Sequence, residues 1–492
     1  MRYIVITFII AFILSACCNP ILPNYGSPVA DENHPQPGIW EFQNTKNQPG
    51  KALVITLHRQ QWQAAAAACL APAFIGRKSA TPLFYDDGTE QRNIQIPHDT
   101  KAVSAFGSDA SSASAGIATT YWSKAEIVFI TDSYDHVLWL VPAACFLSAP
   151  ILMNPTTSTL TALGVKCAVV LGAGEPEVEE VVSLISKEDV WRFQLELFDT
   201  KGQVCNYVIM TNPKDTDDTL NANIEYPYMS MAAAPLAAFR KALVQTGDYT
   251  GDKEKLDQIH KRTFKDDELY LQVTPYFEQV KTDSYEAVKY LLDRGHSPEF
   301  IALVGGPFAL PDFYYDIHTQ YLYWSQEVHY VPSHSPYASL KETVSSNLTV
   351  KEDLGAGRIV GHSILDATNQ LARTFFYRDY LPGGLYSNLG LSGWEGKAVV
   401  VDGHRLNQPR NGGPPHTSCD EPFHPAGDVK AAFETNNFSA SYITPKNKTD
   451  PYDSNPGKSE ILNTIQNQSM IQFIAHGGSM ANPATMWMEG GY

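Results

Sequence analysis

The sequence predicts an α/β protein: parallel sheets covered by helices on both faces. Three observations predict it. Short, unbroken apolar runs rich in β-branched residues recur along the chain, such as Ile127–Thr131, Lys166–Leu171 and Tyr207–Thr211. Helical stretches separate them. Several runs end in glycine, as in Leu171-Gly-Ala-Gly174 and Val304-Gly-Gly306. A strand with one wet face would alternate apolar with polar residues, and these do not.

The elements follow in order. Arg2 precedes an apolar run, Tyr3–Leu14, which is too short to span a bilayer. It reads as a secretory signal, residues 1–16. Residues 17–50 are rich in Pro and Asn and form an extended tether. Lys51–Leu57 is the first strand and Trp62–Leu70 a helix. Ile127–Thr131 (strand), Asp135–Leu147 (helix), Ala149–Met153 (strand), Lys166–Gly174 (strand) and Glu177–Ser186 (helix) come next. Tyr207–Pro213 is a strand, Ser230–Leu243 an alanine-rich helix, Tyr285–Asp293 a helix and Phe300–Gly306 a strand. Residues 127–174 and 207–306 thus read as two diverged copies of strand, small-residue helix, strand and glycine turn. Pro311–Val350, full of tyrosines, reads as a surface excursion packed on the sheet. After a helix at Leu365–Tyr377, the breaker Leu381-Pro-Gly-Gly-Leu385 marks a boundary. Trp394–Gly403 and Ser439–Ile443 are strands, Val429–Thr435 and Glu460–Asn467 helices, and Met470–Ile474 the last strand. The expected domains are 51–204, 205–385 and 386–492.

Charge narrows the function. The 492 residues carry 36 basic and 53 acidic side chains, a net charge of −17. Phosphate backbones need a basic surface, so nucleic acid is not an expected partner. The seven cysteines, Cys17, Cys18, Cys69, Cys145, Cys167, Cys205 and Cys419, form no CxxC pair. They make neither a zinc site nor a disulfide scaffold. Leu171-Gly-Ala-Gly-Glu-Pro176 lacks the third glycine of a dinucleotide turn, and its glutamates would repel a pyrophosphate. His318, His329 and His334, with Asp312 and Asp316, have the chemistry of metal ligands but no rigid helical spacing. No cofactor and no metal are expected.

The most informative stretch closes the chain. Strand Met470–Ile474 runs into Ala475-His476-Gly477-Gly478. A strand end followed by glycine presents an imidazole and leaves the Gly477 N–H open to a developing oxyanion. Asp402 ends another strand and is a candidate to orient the imidazole. The plainer alternatives are an incidental histidine in a turn and an Asp402-Gly403 turn pair.

Phe473-Ile-Ala-His-Gly-Gly-Ser479 resembles the His-bearing strand end of the gingipain family of cysteine peptidases. Ile301-Ala-Leu-Val-Gly-Gly-Pro-Phe-Ala-Leu-Pro311 and Leu354-Gly-Ala-Gly-Arg-Ile-Val-Gly361 resemble two upstream motifs of that family, in the family's order. The resemblance implies a caspase-like last domain acting on peptide or protein substrates. His476 would be the base, Asp402 its orienting acid and Gly477 part of the oxyanion hole. Ala475 replaces the family's glycine, and the loop holds one extra glycine. The family's nucleophilic cysteine follows its histidine by a few tens of residues, whereas no cysteine follows His476 and Cys419 precedes it. The expectation is a secreted or surface-anchored cysteine-type endopeptidase whose catalytic domain, as given, lacks its nucleophile. The alternative is a non-catalytic surface protein with a degenerate peptidase domain.

Two further resemblances bear on location. Ala143-Ala144, Ala149-Pro-Ile-Leu152, Leu163-Gly164 and Val170-Leu-Gly-Ala173 are similar to cell-wall-binding repeats, which implies a cell-envelope polymer as partner. Leu14-Ser-Ala-Cys17 resembles a lipobox, which implies acyl chains on Cys17 as the sole link to a membrane. Asn347-Leu-Thr, Asn437-Phe-Ser, Asn447-Lys-Thr and Asn467-Gln-Ser are glycosylation sequons by pattern.

Overall fold

Parallel strands dominate the computed structural model. It describes residues 39–47, 53–56, 61–76, 80–86, 101–104, 106–216, 227–261, 266–319, 328–341, 353–376, 397–402, 425–435, 437–443 and 470–474. The protein is α/β. The chain divides into two compact units at Phe376/Tyr377. The boundary expected at 204/205 falls inside the first unit, where one apolar core runs from Ile39 to Leu371. The boundary expected at 385/386 lies outside the described residues.

Among the described residues the first unit holds three parallel sheets. In the first, strand Leu53–Thr56 lies between Leu83–Asp86 and Lys101–Ser104. In the second, Ile127–Thr131 lies between Ile151–Met153 and Cys167–Leu171, with Glu180–Leu184 beyond. In the third, Tyr207–Thr211 lies between Leu243–Thr246 and Phe300–Val304, with Gly355–Ile359 beyond. The order is the same each time: the first strand in the middle, the second on one side, the third on the other. Sequence reading found two copies where the first unit has three. Ala64-Ala-Ala-Ala-Ala-Cys-Leu-Ala-Pro72 carried the small-residue signal of the missing copy.

Every residue of Ile127–Thr131, Cys167–Leu171 and Tyr207–Thr211 is buried, irrespective of which face it points to. That is why these runs do not alternate. Each fully buried Val, Ile or Phe is worth about 1.5–3 kcal/mol of transfer free energy. Helices Ala110–Tyr121 and Tyr134–Leu147 pack on the middle sheet, and Ala233–Arg240 and Asp267–Leu292 on the third. Tyr134–Leu147 also packs against Gln61–Ala68 and against Ala233–Arg240. Ala64–Ala68, Ala143, Ala144, Ala233, Ala234 and Ala237 are buried, and their small side chains let these helices approach closely.

Four local expectations are corrected. Glu177–Ser186 is no helix; Glu180–Leu184 is a strand paired with Cys167–Leu171. Its β-branched Val181 and Val182 fit an edge strand half-covered by neighbours, and that outweighs the helix preference of the glutamates. The alanine-rich helix stops at Arg240 because Lys241 turns left-handed (φ 55°), and Leu243–Thr246 is a strand. The helix expected at Tyr285–Asp293 starts at Asp267, with Asp266 capping Leu269 N–H. The excursion after Pro311 holds an antiparallel pair, Phe313–Thr319 with Val328–Ser333, and Tyr314, Tyr315, Tyr330 and Tyr337 are buried.

In the second unit, Lys397–Asp402 lies between Ser439–Ile443 and Met470–Ile474, all parallel. Helix Pro425–Thr435 packs on this sheet. The strand order is again that of the other three sheets.

Candidate functional site

In a sheet of this order, ligand sites form beyond the carboxyl ends of the first and third strands, where the connections diverge. The second unit puts Asp402 at such an end. Its strand is the direct neighbour of Met470–Ile474, and Asp402 is in register with Ile474. His476 and Gly477 follow within three residues of Ile474 along the chain. They lie outside the described residues, as does Cys17, and of Asp402 only the backbone is described.

The corresponding place in the middle sheet of the first unit is fully described. Asp132 follows Ile127–Thr131, and Ser133 caps helix Tyr134–Leu147 by accepting from His136 N–H. Asp132 and His136 are one helical turn apart, and Nδ1 of His136 lies 3.1 Å from Asp132 Oδ1. A carboxylate on Nδ1 fixes the tautomer and leaves Nε2 with its lone pair outward. That nitrogen has no partner among the described residues. The His136 and Asp132 side chains are 25% and 41% exposed. Gly172, at the end of Cys167–Leu171, closes over this pair with φ 72°; a Cβ there would stand 2.6 Å from His136 Cε1. Burial raises the Asp135 carboxyl, and Lys214 and His136 oppose the shift. The arrangement is a carboxylate-held, partly exposed imidazole beside a second acid, Asp135. Sequence reading missed it, although an acid at a strand end with a histidine four residues on was visible.

The same place in the third sheet is filled. Thr211 Oγ1 donates to Val304 O, and Asn212 Nδ2 to Ala309 O. Asp215 is fully buried and accepts from Ser230 N–H and Ser230 Oγ, and Ser230 Oγ lies 3.1 Å from the Tyr134 hydroxyl. Burial pushes the Asp215 carboxyl up to about 7, against the pull of its hydrogen bonds.

Of the metal-ligand candidates, Asp312 and His334 come together, with His334 Nε2 2.6 Å from Asp312 Oδ1. The third member is a cation, not a ligand. Arg358 Nη2 donates to the same Oδ1 at 2.6 Å, and Nη1 donates to Gly305 O. Burial would raise the Asp312 carboxyl, but Arg358 and His334 win and hold it well below the usual carboxylate range. Arg358 Nε stands 3.1 Å from His334 Nε2, which cannot both accept there and donate to Asp312. The ionised carboxylate decides for the donating tautomer. Among the described residues no three His, Cys, Asp or Glu gather as a metal site. The side chains of Asp316, His318 and His329 lie outside the described set.

Cys69, Cys145, Cys167 and Cys205 are buried free thiols. Burial pushes Cys167 and Cys205 up to about 12 and the other two higher still. Such thiols are inert as nucleophiles. No described helix is long and apolar enough to cross a membrane. No protein-family model matches the chain, and no curated protein matches it.

Proposed function

We propose that this protein is a cysteine-type endopeptidase of the gingipain kind, exported and held at the cell envelope through Cys17. One observation carries the reading: Asp402 ends a central strand in register with Ile474, which precedes His476 by two residues in the chain. His476 takes the proton of an attacking thiol. Asp402 holds the imidazole and stabilises its cation. Gly477 N–H donates to the oxyanion of the attacked peptide carbonyl. The four buried cysteines do not serve, because their thiols stay protonated at neutral pH. The reading needs an attacking thiol other than these four, and thiol-directed covalent labelling followed by peptide mapping would identify it.

The test is hydrolysis of unstructured peptides by the protein as its source secretes it. His476→Ala should lower the rate on the order of 100- to 10,000-fold, the range of a general base. Equal rates in the variant and the parent, or no hydrolysis by either, would defeat the reading.

A second reading has its own observation. The three like-ordered sheets of the first unit, joined by close-packed small-residue helices, favour a binding body for a cell-envelope polymer. Co-sedimentation with isolated envelope fragments, without peptide hydrolysis, would support this reading over the enzyme.

A further inference from the structure

One sequon, Asn437-Phe438-Ser439, lies among the described residues, and its setting is specific. Helix Pro425–Thr435 ends in a Schellman turn. Asn437 N–H donates to Glu434 O and Phe438 N–H to Phe433 O, both at 3.0 Å, while the Phe433 and Phe438 rings meet 5.9 Å apart. Asn437 takes the left-handed position of that turn, φ 64°. Glycine is the usual residue there, so the turn tolerates asparagine without requiring it. Asn437 is exposed to solvent. Two residues on, Ser439 opens the edge strand of the sheet and is exposed too. The amide and the hydroxyl that a sequon-reading transferase needs are therefore both accessible. The half-buried ring pair beside them keeps the turn fixed.

We propose that Asn437 carries an N-linked oligosaccharide. The donor class is a lipid-diphosphate-linked oligosaccharide. The Asn437 amide nitrogen bonds to the anomeric carbon of the first sugar as the bond from that carbon to the phosphate oxygen breaks. The lipid diphosphate leaves with the electron pair, and the amide proton passes to a base on the transferase. The inference needs export of the chain; it does not need the peptidase reading.

The experiment takes the exported full chain from its natural source, digests it and reads the peptide containing Asn437 by mass spectrometry. The expected result is a glycopeptide that loses its sugar to an amide-cleaving glycosidase, with the Asn437 amide left as a carboxylate. Ser439→Ala should abolish the glycopeptide, and Ser439→Thr should keep it. Asn437→Gly, which preserves the left-handed turn, should give a folded chain lighter by the glycan. An exported chain whose Asn437 peptide is wholly unmodified would overturn the inference. A modification that survives Ser439→Ala would overturn it as well.

Discussion

The middle and third sheets of the first unit share one strand order, yet their crevices differ. In the middle sheet the first strand ends at a tight cap, Asp132-Ser133, and the imidazole of His136 stays partly open to solvent. In the third sheet residues 212–232 separate strand from helix, and Asn212, Asp215 and Ser230 spend their hydrogen bonds inward. Topology supplies a crevice in both. The length and polarity of the first connection decide whether it stays open or becomes core. In the second unit the equivalent central strand ends at Asp402, level with Ile474.

The comparison breaks most sharply at Arg358. It closes the filled sheet by bridging Asp312 and Gly305 O. Arg358→Ala leaves the Asp312 carboxylate without its cation and should cost on the order of 3 kcal/mol, read as a drop in denaturant midpoint. The sign with pH follows from the lowered carboxyl. Its contribution is present above the unfolded value, about 3.9, and is lost as pH falls towards the folded one. Asp312→Asn should therefore flatten the acid limb of the stability profile.

The open sheet should break at Gly172. Gly172→Ala meets both a left-handed backbone and the His136 ring, and should destabilise by about 2 kcal/mol. Gly164 has nearly the same backbone, φ 70°, but a Cβ there would come no nearer than 4.0 Å to anything. Gly164→Ala should cost about 1 kcal/mol, the backbone share alone. Equal thermal shifts for the two would refute the contact at His136.

A pH test separates the two crevices at Asp215. Its folded carboxyl is raised to about 7, so its favourable contribution is full below about 3.9 and is lost as pH rises through 7. Asp215→Asn should remove that slope between about pH 4 and 8.

Much of this was legible in the chain. Unbroken β-branched runs marked the positions of the central strands, because a doubly covered strand has no polar face to show. Met470–Ile474 and Ser439–Ile443 were placed to the residue. Edges were harder. Glu180–Leu184 carries helix-forming glutamates and becomes a strand only because Cys167–Leu171 offers it an unpaired side. Leu243–Thr246 was absorbed into a helix because nothing local announces that Lys241 turns left-handed.

By itself the sequence determined the α/β class, the net negative charge, and the order in which strand, small-residue helix and glycine turn recur. Those properties reside in local runs and totals. Only the tertiary structure decided that Asp132 meets His136 beneath Gly172, that Asp312 answers to Arg358, and that Asp402 ends level with Ile474. The last two join residues far apart in the chain, and the first needs a glycine from the end of a strand three elements further on. Contacts of that kind are set by strand order, which no single stretch of sequence encodes.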